Sequence, residues 1–208
     1  MARADTVVTV LPDGCRDILV TSKPGQPPVI RLTDWDMGPQ TVKVTTGSEF
    51  VGYRLRPGST VEHRALAQVA CDPGQIEALI ESEAPPDEEI TDIIAALSVP
   101  FATVQGVSRS AGVTMRTLQR RFGSLSLPPP DFWRLLARAR KAALALPCEI
   151  PLVEIADMFG YSDQAHMTRD FMRWFELTPK GLRRDTAALD GISQPALGNW
   201  TGEQISIR

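Results

Sequence analysis

The sequence predicts an α+β protein, in which a β-rich amino-terminal domain precedes an all-α domain with two helix-turn-helix units joined by a long helix. Three observations carry that expectation. Short runs of β-branched residues, broken by Pro and Gly clusters, fill residues 6–56. A helix-loading pattern with a central glycine turn occurs twice in the second half, as VQGVSRSAGVTMRTLQRRF at 104–122 and as LVEIADMFGYSDQAHMTRDFMRWF at 152–175. Charge divides at the same place: residues 1–100 carry 8 basic and 15 acidic side chains, and residues 101–187 carry 13 basic and 8 acidic, within a formal net charge of -3. A polyanion responds to the local field of the basic half, whatever the total.

The first strand is expected at residues 7–11. It is followed by Pro12-Asp13-Gly14, a turn former, and then by CRDILVT, which together predict a hairpin with a three-residue connection. Further strands are expected at 29–33, 41–45 and 49–56, the last stopped by Arg56, Pro57 and Gly58. Helical apolar spacing then appears at 75–82 (Ile76, Leu79, Ile80) and 88–97 (Ile90, Ile93, Ile94). EAPPDEE between them is rich in proline and like charges, which resist compact packing. The expected organisation is a β-rich regulatory or dimerisation domain at 1–82, a hinge and connecting helix at 83–100, a double helix-turn-helix domain at 101–187 and a tail at 188–208.

In the first copy, a short helix ends near Ala111, Gly112 and Val113 turn the chain, and Thr114 can cap the next helix by accepting an unpaired amide of its first turn. Met115, Leu118 and Phe122 recur at helical spacing and should point inward, leaving Arg116, Gln119 and Arg120 outside. Arginine pairs bidentately with guanine and glutamine with adenine, so these three are the expected base-facing set. In the second copy, Leu152, Ile155, Ala156 and Phe159 form the apolar side of a short helix, Gly160 ends it, Tyr161 packs the turn and Asp163 caps the next helix. Met167 and Phe171 continue inward, which puts Gln164, Ala165, His166 and Arg169 on the base-facing side. His166 has a rival role, packing beside Tyr161.

Residues 131–146 form a long amphipathic segment, with Phe132, Leu135, Leu136 and Ala139 toward a core and Arg134, Arg138 and Lys141 near the surface. At about 1.5 Å per residue it would span roughly 24 Å, a rigid spacer between helices lying in successive major-groove faces about 34 Å apart. Thr178 and Pro179 signal a further helix start, followed by Lys180, Arg183 and Arg184. Thr114, Arg173, Lys180 and Arg184 are the expected phosphate contacts, which add affinity without choosing a sequence.

Cys15, Cys71 and Cys148 are scattered and odd in number, and His63 and His166 are the only imidazoles. Free thiols are expected, with no metal, no cofactor and no catalytic residues. Cys15 lies beside Asp13, Arg16 and Asp17, but no base or second cysteine accompanies it, and a buried thiol is the simpler reading. No apolar run reaches membrane-spanning length and the start lacks signal-peptide character, so a cytoplasmic, nucleoid-associated location is expected.

Residues 95–185, and above all IADMFGYSDQAHMTRDFMRWFELTPKGLRR, resemble the AraC/XylS family of transcription regulators. The resemblance implies a domain of two helix-turn-helix units joined by a long helix, with Arg116, Gln119 and Arg120 in the first base-facing helix and Gln164, Ala165, His166 and Arg169 in the second. Three positions depart from the family pattern: Ser108 replaces a packed alanine, Leu127 a turn glycine ahead of Pro128, and Glu176 a glycine before Leu177. A lost glycine matters where the backbone needs positive φ. VLPDGCRDILV and YRLRPG resemble a β-rich region that precedes this type of domain in some regulators.

The expected function is sequence-specific transcription regulation at a bipartite site, modulated by an effector or partner, with activation the more common outcome in the family. Expected partners are double-stranded DNA, RNA polymerase, a small-molecule effector and a second copy of the chain, with no membrane. The alternative is a protein-interaction adaptor that keeps the helical fold and binds DNA weakly or without specificity.

Overall fold

The computed structural model describes residues 5–69, 75–83 and 87–199. The protein is α+β. Its first part holds five strands, β1 (Thr6–Val10), β2 (Asp17–Ser22), β3 (Val29–Leu32), β4 (Gln40–Val44) and β5 (Glu49–Arg54), followed by α1 (His63–Val69) and α2 (Ile76–Glu83). β2 is the central strand of an antiparallel sheet ordered β3-β2-β5, with Ile18 opposite Leu32 on one side and Tyr53 on the other. Period-two alternation turns Ile18 and Val20 into a core shared with Leu32, Leu55, Val61 and the buried faces of α1 and α2.

The expected hairpin between β1 and the segment after Gly14 does not form. β1 pairs instead with β4, with Val8 opposite Val42, in a separate two-stranded ribbon that leaves Val7, Val8, Val10 and Val42 exposed. The Pro12-Asp13-Gly14 turn is used elsewhere. Asp13 Oδ1 accepts the Cys15 amide at 2.9 Å, Gly14 adopts φ +73°, and the Asp13 carbonyl accepts the Leu197 amide at 2.9 Å. A Cβ on Gly14 would stand 2.7 Å from Leu197 Cβ, so the turn is fitted closely to the distant carboxyl-terminal segment. α1 was not anticipated, because seven residues are too few to show two repeats of a helical period.

The helical part contains α3 (Glu88–Leu97), α4 (Val104–Ser110), α5 (Met115–Ser124), α6 (Pro130–Leu144), a 3-10 turn (Leu146–Cys148), α7 (Leu152–Met158), α8 (Gln164–Phe175), α9 (Pro179–Leu182) and α10 (Thr186–Ser193). Asp87 caps α3 by accepting the Ile90 amide. The hinge residues 84–86 lie outside the described residues, as do Cys71 and Trp200. α3, placed by its sequence in the connecting stretch, packs into the helical core through Ile90, Ile93, Ile94 and Leu97. Ile192 and Leu197, in the expected tail, join the same core.

α6 runs through the middle of that core. Trp133 meets Trp35, Phe122 and Phe132 edge-on at centroid distances of 5.3, 6.5 and 5.4 Å, and Phe132 meets Trp174 at 5.7 Å. Arg140 on the same helix is fully buried and donates to the carbonyls of Ile192, Gln194 and Leu197 and to Asn199 Oδ1, fixing the chain after α10. Arg138, expected near the surface, is largely enclosed as well. Among the described residues no helix is long and apolar enough to cross a membrane.

The two parts meet through Trp35 on Trp133, through the Leu197 amide on the Asp13 carbonyl, and through Arg54, which reaches the Pro195 carbonyl at 3.5 Å from an ionic cluster within the β-rich part. Arg54 lies between Asp13 (2.8 Å) and Asp17 (3.0 Å). Burial works against its charge, but the two carboxylates outweigh that and hold its proton more tightly than usual. Cys15 is buried beside them, as expected, and burial together with Asp13 pushes its thiol well up. Burial first, then Asp13, Asp17 and Asp34, raises Asp36 to about 6.

The left-handed positions explain two of the family departures. Glu176 closes α8 at φ +55°, so the turn forms despite the missing glycine. After α5 the left-handed residue is Ser126 at φ +56°, which frees Leu127 to be buried while its amide donates to the Phe122 carbonyl. Ser108 is buried with its hydroxyl donating to the Gln105 carbonyl, so the polar replacement is satisfied.

Two outcomes follow for stability. Glu176→Gly should relieve left-handed strain and raise unfolding free energy by about 0.5–1 kcal/mol in a urea melt. Asp36 is harder to ionise folded than unfolded, so its stabilising contribution is complete at low pH and is lost as pH rises through about 6. Asp36→Asn should therefore stabilise the protein at pH 7 by about 1 kcal/mol, after discounting for its partial exposure, with the difference closing toward pH 4. A gain independent of pH would contradict this origin.

Candidate nucleic-acid interface

Each helix-turn-helix unit is built from a short helix, a left-handed glycine and a longer capped helix. In the first, Thr103 caps α4 by accepting the Gly106 amide, Gly112 turns the chain at φ +69°, and Thr114 caps α5 by accepting the Thr117 amide at 3.1 Å. Leu118 and Phe122 are buried against the core, so the opposite face carries Arg116, Gln119 and Arg120, all exposed. Met115, expected inward, is 46% exposed. It is the first residue of α5, a turn ahead of the first core contact at Leu118, and so projects past the core edge. It occupies the place in α5 that Gln164 holds in α8.

In the second unit, α7 buries Ile155 and Ala156, and Gly160 turns at φ +72° against the Phe101 ring, where a Cβ would come within 3.0 Å. Asp163 caps α8 by accepting the His166 amide at 2.6 Å, and that hydrogen bond, ahead of all other causes, holds its carboxyl below the usual value. Gln164, Ala165 and Arg169 are exposed. His166 is half-buried: its ring stands edge-on to Tyr161 at 5.2 Å, and Nδ1 accepts the Ser162 amide at 3.3 Å. The packing role thus accounts for the His166 ring without any contact to a base.

The cations of this domain divide into two groups. Arg121 is paired with Asp87 and Glu89, tying α5 to the start of α3; Arg134 with Asp131; and Arg183 donates to the Ile150 carbonyl at 2.7 Å. Arg138 pairs with Asp170 and lies over the Tyr161 ring at 4.1 Å. This corrects its expected surface position: the guanidinium fills the space between α6 and α8 and is consumed there. By contrast, Arg116, Arg120, Arg169, Lys180 and Arg184 are exposed and make no ion pair among the described residues. Arg173 is exposed with its guanidinium over the Trp174 ring at 4.6 Å, which orients it without neutralising it. Arg109, exposed at the end of α4, is a further cation that the sequence reading passed over. Thr114 is exposed but its hydroxyl is engaged with Thr117, and Thr178 caps α9 by accepting the Gly181 amide.

Arg138 and Asp170 each retain 13% exposure, so removing one partner leaves a poorly solvated charge behind. Arg138→Ala should lower unfolding free energy by about 3 kcal/mol. Arg116→Ala, at an exposed and unpaired cation, should leave stability within about 0.5 kcal/mol of wild type. Equal thermal shifts for the two would contradict the division into committed and uncommitted cations.

A family model described as a helix-turn-helix domain matches residues 107–185, from within α4 to just beyond α9. The chain is also 37% identical over 78 residues to the HTH-type transcriptional regulator VirS of Mycobacterium tuberculosis, in strains CDC 1551 / Oshkosh and ATCC 25618 / H37Rv. Those alignments cover 38% of this chain and 22% of each relative, so the chain spans about a fifth of the length of the curated relatives it matches. Residues 107–185 thus form a helix-turn-helix domain similar to the corresponding stretch of these regulators.

Proposed function

We propose that the protein is a sequence-specific, DNA-binding transcription regulator that reads a bipartite site through α5 and α8. The observation that carries this reading is the division of cations: Arg121, Arg134, Arg138 and Arg183 are held by partners within the protein, while those without such partners lie on and beside two capped helices of matching construction. Arg116, Gln119 and Arg120 supply base-edge chemistry on α5, and Gln164, Ala165 and Arg169 supply it on α8. Ala165 is small enough to admit a thymine methyl. Lys180, Arg184 and Arg173 suit phosphates, while Thr114 offers only its capped helix start. The relatives named as transcriptional regulators support the regulatory role. Regulation is carried by an effector or by a partner, with RNA polymerase and a second copy of the chain as candidates, and the valines exposed on the β1–β4 ribbon support self-association. A DNA target places the protein in the cytoplasm, on the nucleoid.

Selection from a randomised duplex library, followed by binding of the enriched pool across a salt series, tests this directly. Two enriched motifs about one helical turn apart are expected. Arg116→Ala and Arg169→Ala should each relax preference at a few positions, at about 1–3 kcal/mol of discrimination, whereas Arg184→Ala should weaken all sequences evenly and reduce the salt slope by about one. No enrichment, with steeply salt-dependent binding to any duplex, would move the protein to the adaptor class.

A further inference from the structure

A pocket of 440 Å³ lies where the β-rich part meets the helical part. Its wall is contributed by four segments that are distant in sequence: Arg56 and Pro57 from the turn after β5, Ile94 and Ala95 from α3, Lys141 from α6, and Leu197 from the chain after α10. Volumes of this order suit small molecules. The lining contains two cations and, among the described residues, no carboxylate.

The cations are incompletely used. Arg56 Nε is buried and has no hydrogen-bond partner among the described residues. Lys141 Nζ donates to the Ser98 carbonyl at 2.7 Å, which occupies one of its three N–H groups. A buried donor without a partner is uncommon in folded proteins and asks for an acceptor. Beside these donors, Pro57, Ile94 and Leu197 present apolar surface. Gly58 lets the turn approach this closely, since a Cβ there would stand 2.5 Å from Ile94 Cδ1.

We propose that this pocket binds a small carboxylate with an apolar body, the carboxylate accepting from Arg56 and Lys141 and the body lying on Pro57, Ile94 and Leu197. The paired charge-assisted hydrogen bonds select an anion, and the apolar wall selects against small hydrophilic anions. Such a ligand joins the β5 turn to α3 and α6, the elements that carry the helical core under α5 and α8. The inference deepens the effector-modulated part of the proposed function and rests on it for its regulatory meaning, although binding itself requires no DNA.

Titration calorimetry of the full chain with octanoate, and with 1-octanol as the uncharged control, tests the pocket. Octanoate should bind with one-to-one stoichiometry and 1-octanol at least about tenfold more weakly, the difference expected for charge-assisted hydrogen bonds. Arg56→Gln should weaken octanoate by a similar factor. Ala95→Phe, made at an exposed helix position, keeps both cations and fills the pocket, and should also abolish binding while leaving the melting temperature near wild type. No octanoate binding by the wild type, equal binding of octanoate and octanol, or octanoate binding unchanged in both variants would each overturn the proposal. Octanoate binding with no selected DNA sequence would overturn the regulator reading and leave the pocket standing; selected DNA without octanoate binding would do the reverse.

Discussion

Trp133 is fully buried at the centre of α6 and touches one aromatic ring from each of three directions, and the arrangement of both candidate recognition helices depends on that packing. Through Phe122 it fixes the inward face of α5. Through Phe132 and Trp174 it fixes that of α8. Its indole N–H donates to the Pro128 carbonyl at 3.0 Å, so the large side chain is buried without an orphaned donor. Because interiors pack at crystal-like density, a shift of α6 must be shared by everything that leans on it. The outward faces of α5 and α8 are therefore set from behind, by apolar contacts that never touch a ligand.

The same geometry decides the fate of each arginine. The guanidinium groups of Arg116, Arg120 and Arg169, on the outer faces of α5 and α8, are exposed and form no ion pair among the described residues. One that falls between α6 and α8, as Arg138 does, is desolvated and must be compensated, here by Asp170 and the Tyr161 ring. Arg140 goes further and is held by the backbone carbonyls of Ile192, Gln194 and Leu197 and by Asn199 Oδ1. The basic balance of the second half thus overstates the charge offered to a polyanion, since a good part of it is spent on internal structure.

Trp35 brings the β-rich part into this arrangement by packing on Trp133, with the Arg16 guanidinium 5.6 Å from its ring centroid. Arg54 donating to the Pro195 carbonyl and the Leu197 amide donating to the Asp13 carbonyl complete the junction. Occupation of the neighbouring pocket, as proposed, would act on contacts shared by both parts. That is the physical requirement for one part to influence the other.

Local signals in the chain were sufficient for the helical half. The caps at Thr114, Asp163 and Thr178, the glycine turns at Gly112 and Gly160, and the inward positions Leu118, Phe122, Met167 and Phe171 all follow from short-range rules, because capping and helical periodicity act over one or two turns. The exposed positions Arg116, Gln119, Arg120, Gln164, Ala165 and Arg169 follow from the same periodicity. What the sequence could not supply was anything set by long-range contact. The pairing of β1 with β4, about thirty residues away in sequence, is long-range; the burial of Arg138 and Arg140 and the half-burial of His166 were decided by neighbours 28 to 59 residues away. Met115 was exposed because the core ends before it. Helix periodicity says which residues share a face, whereas only the tertiary structure says what, if anything, stands opposite that face.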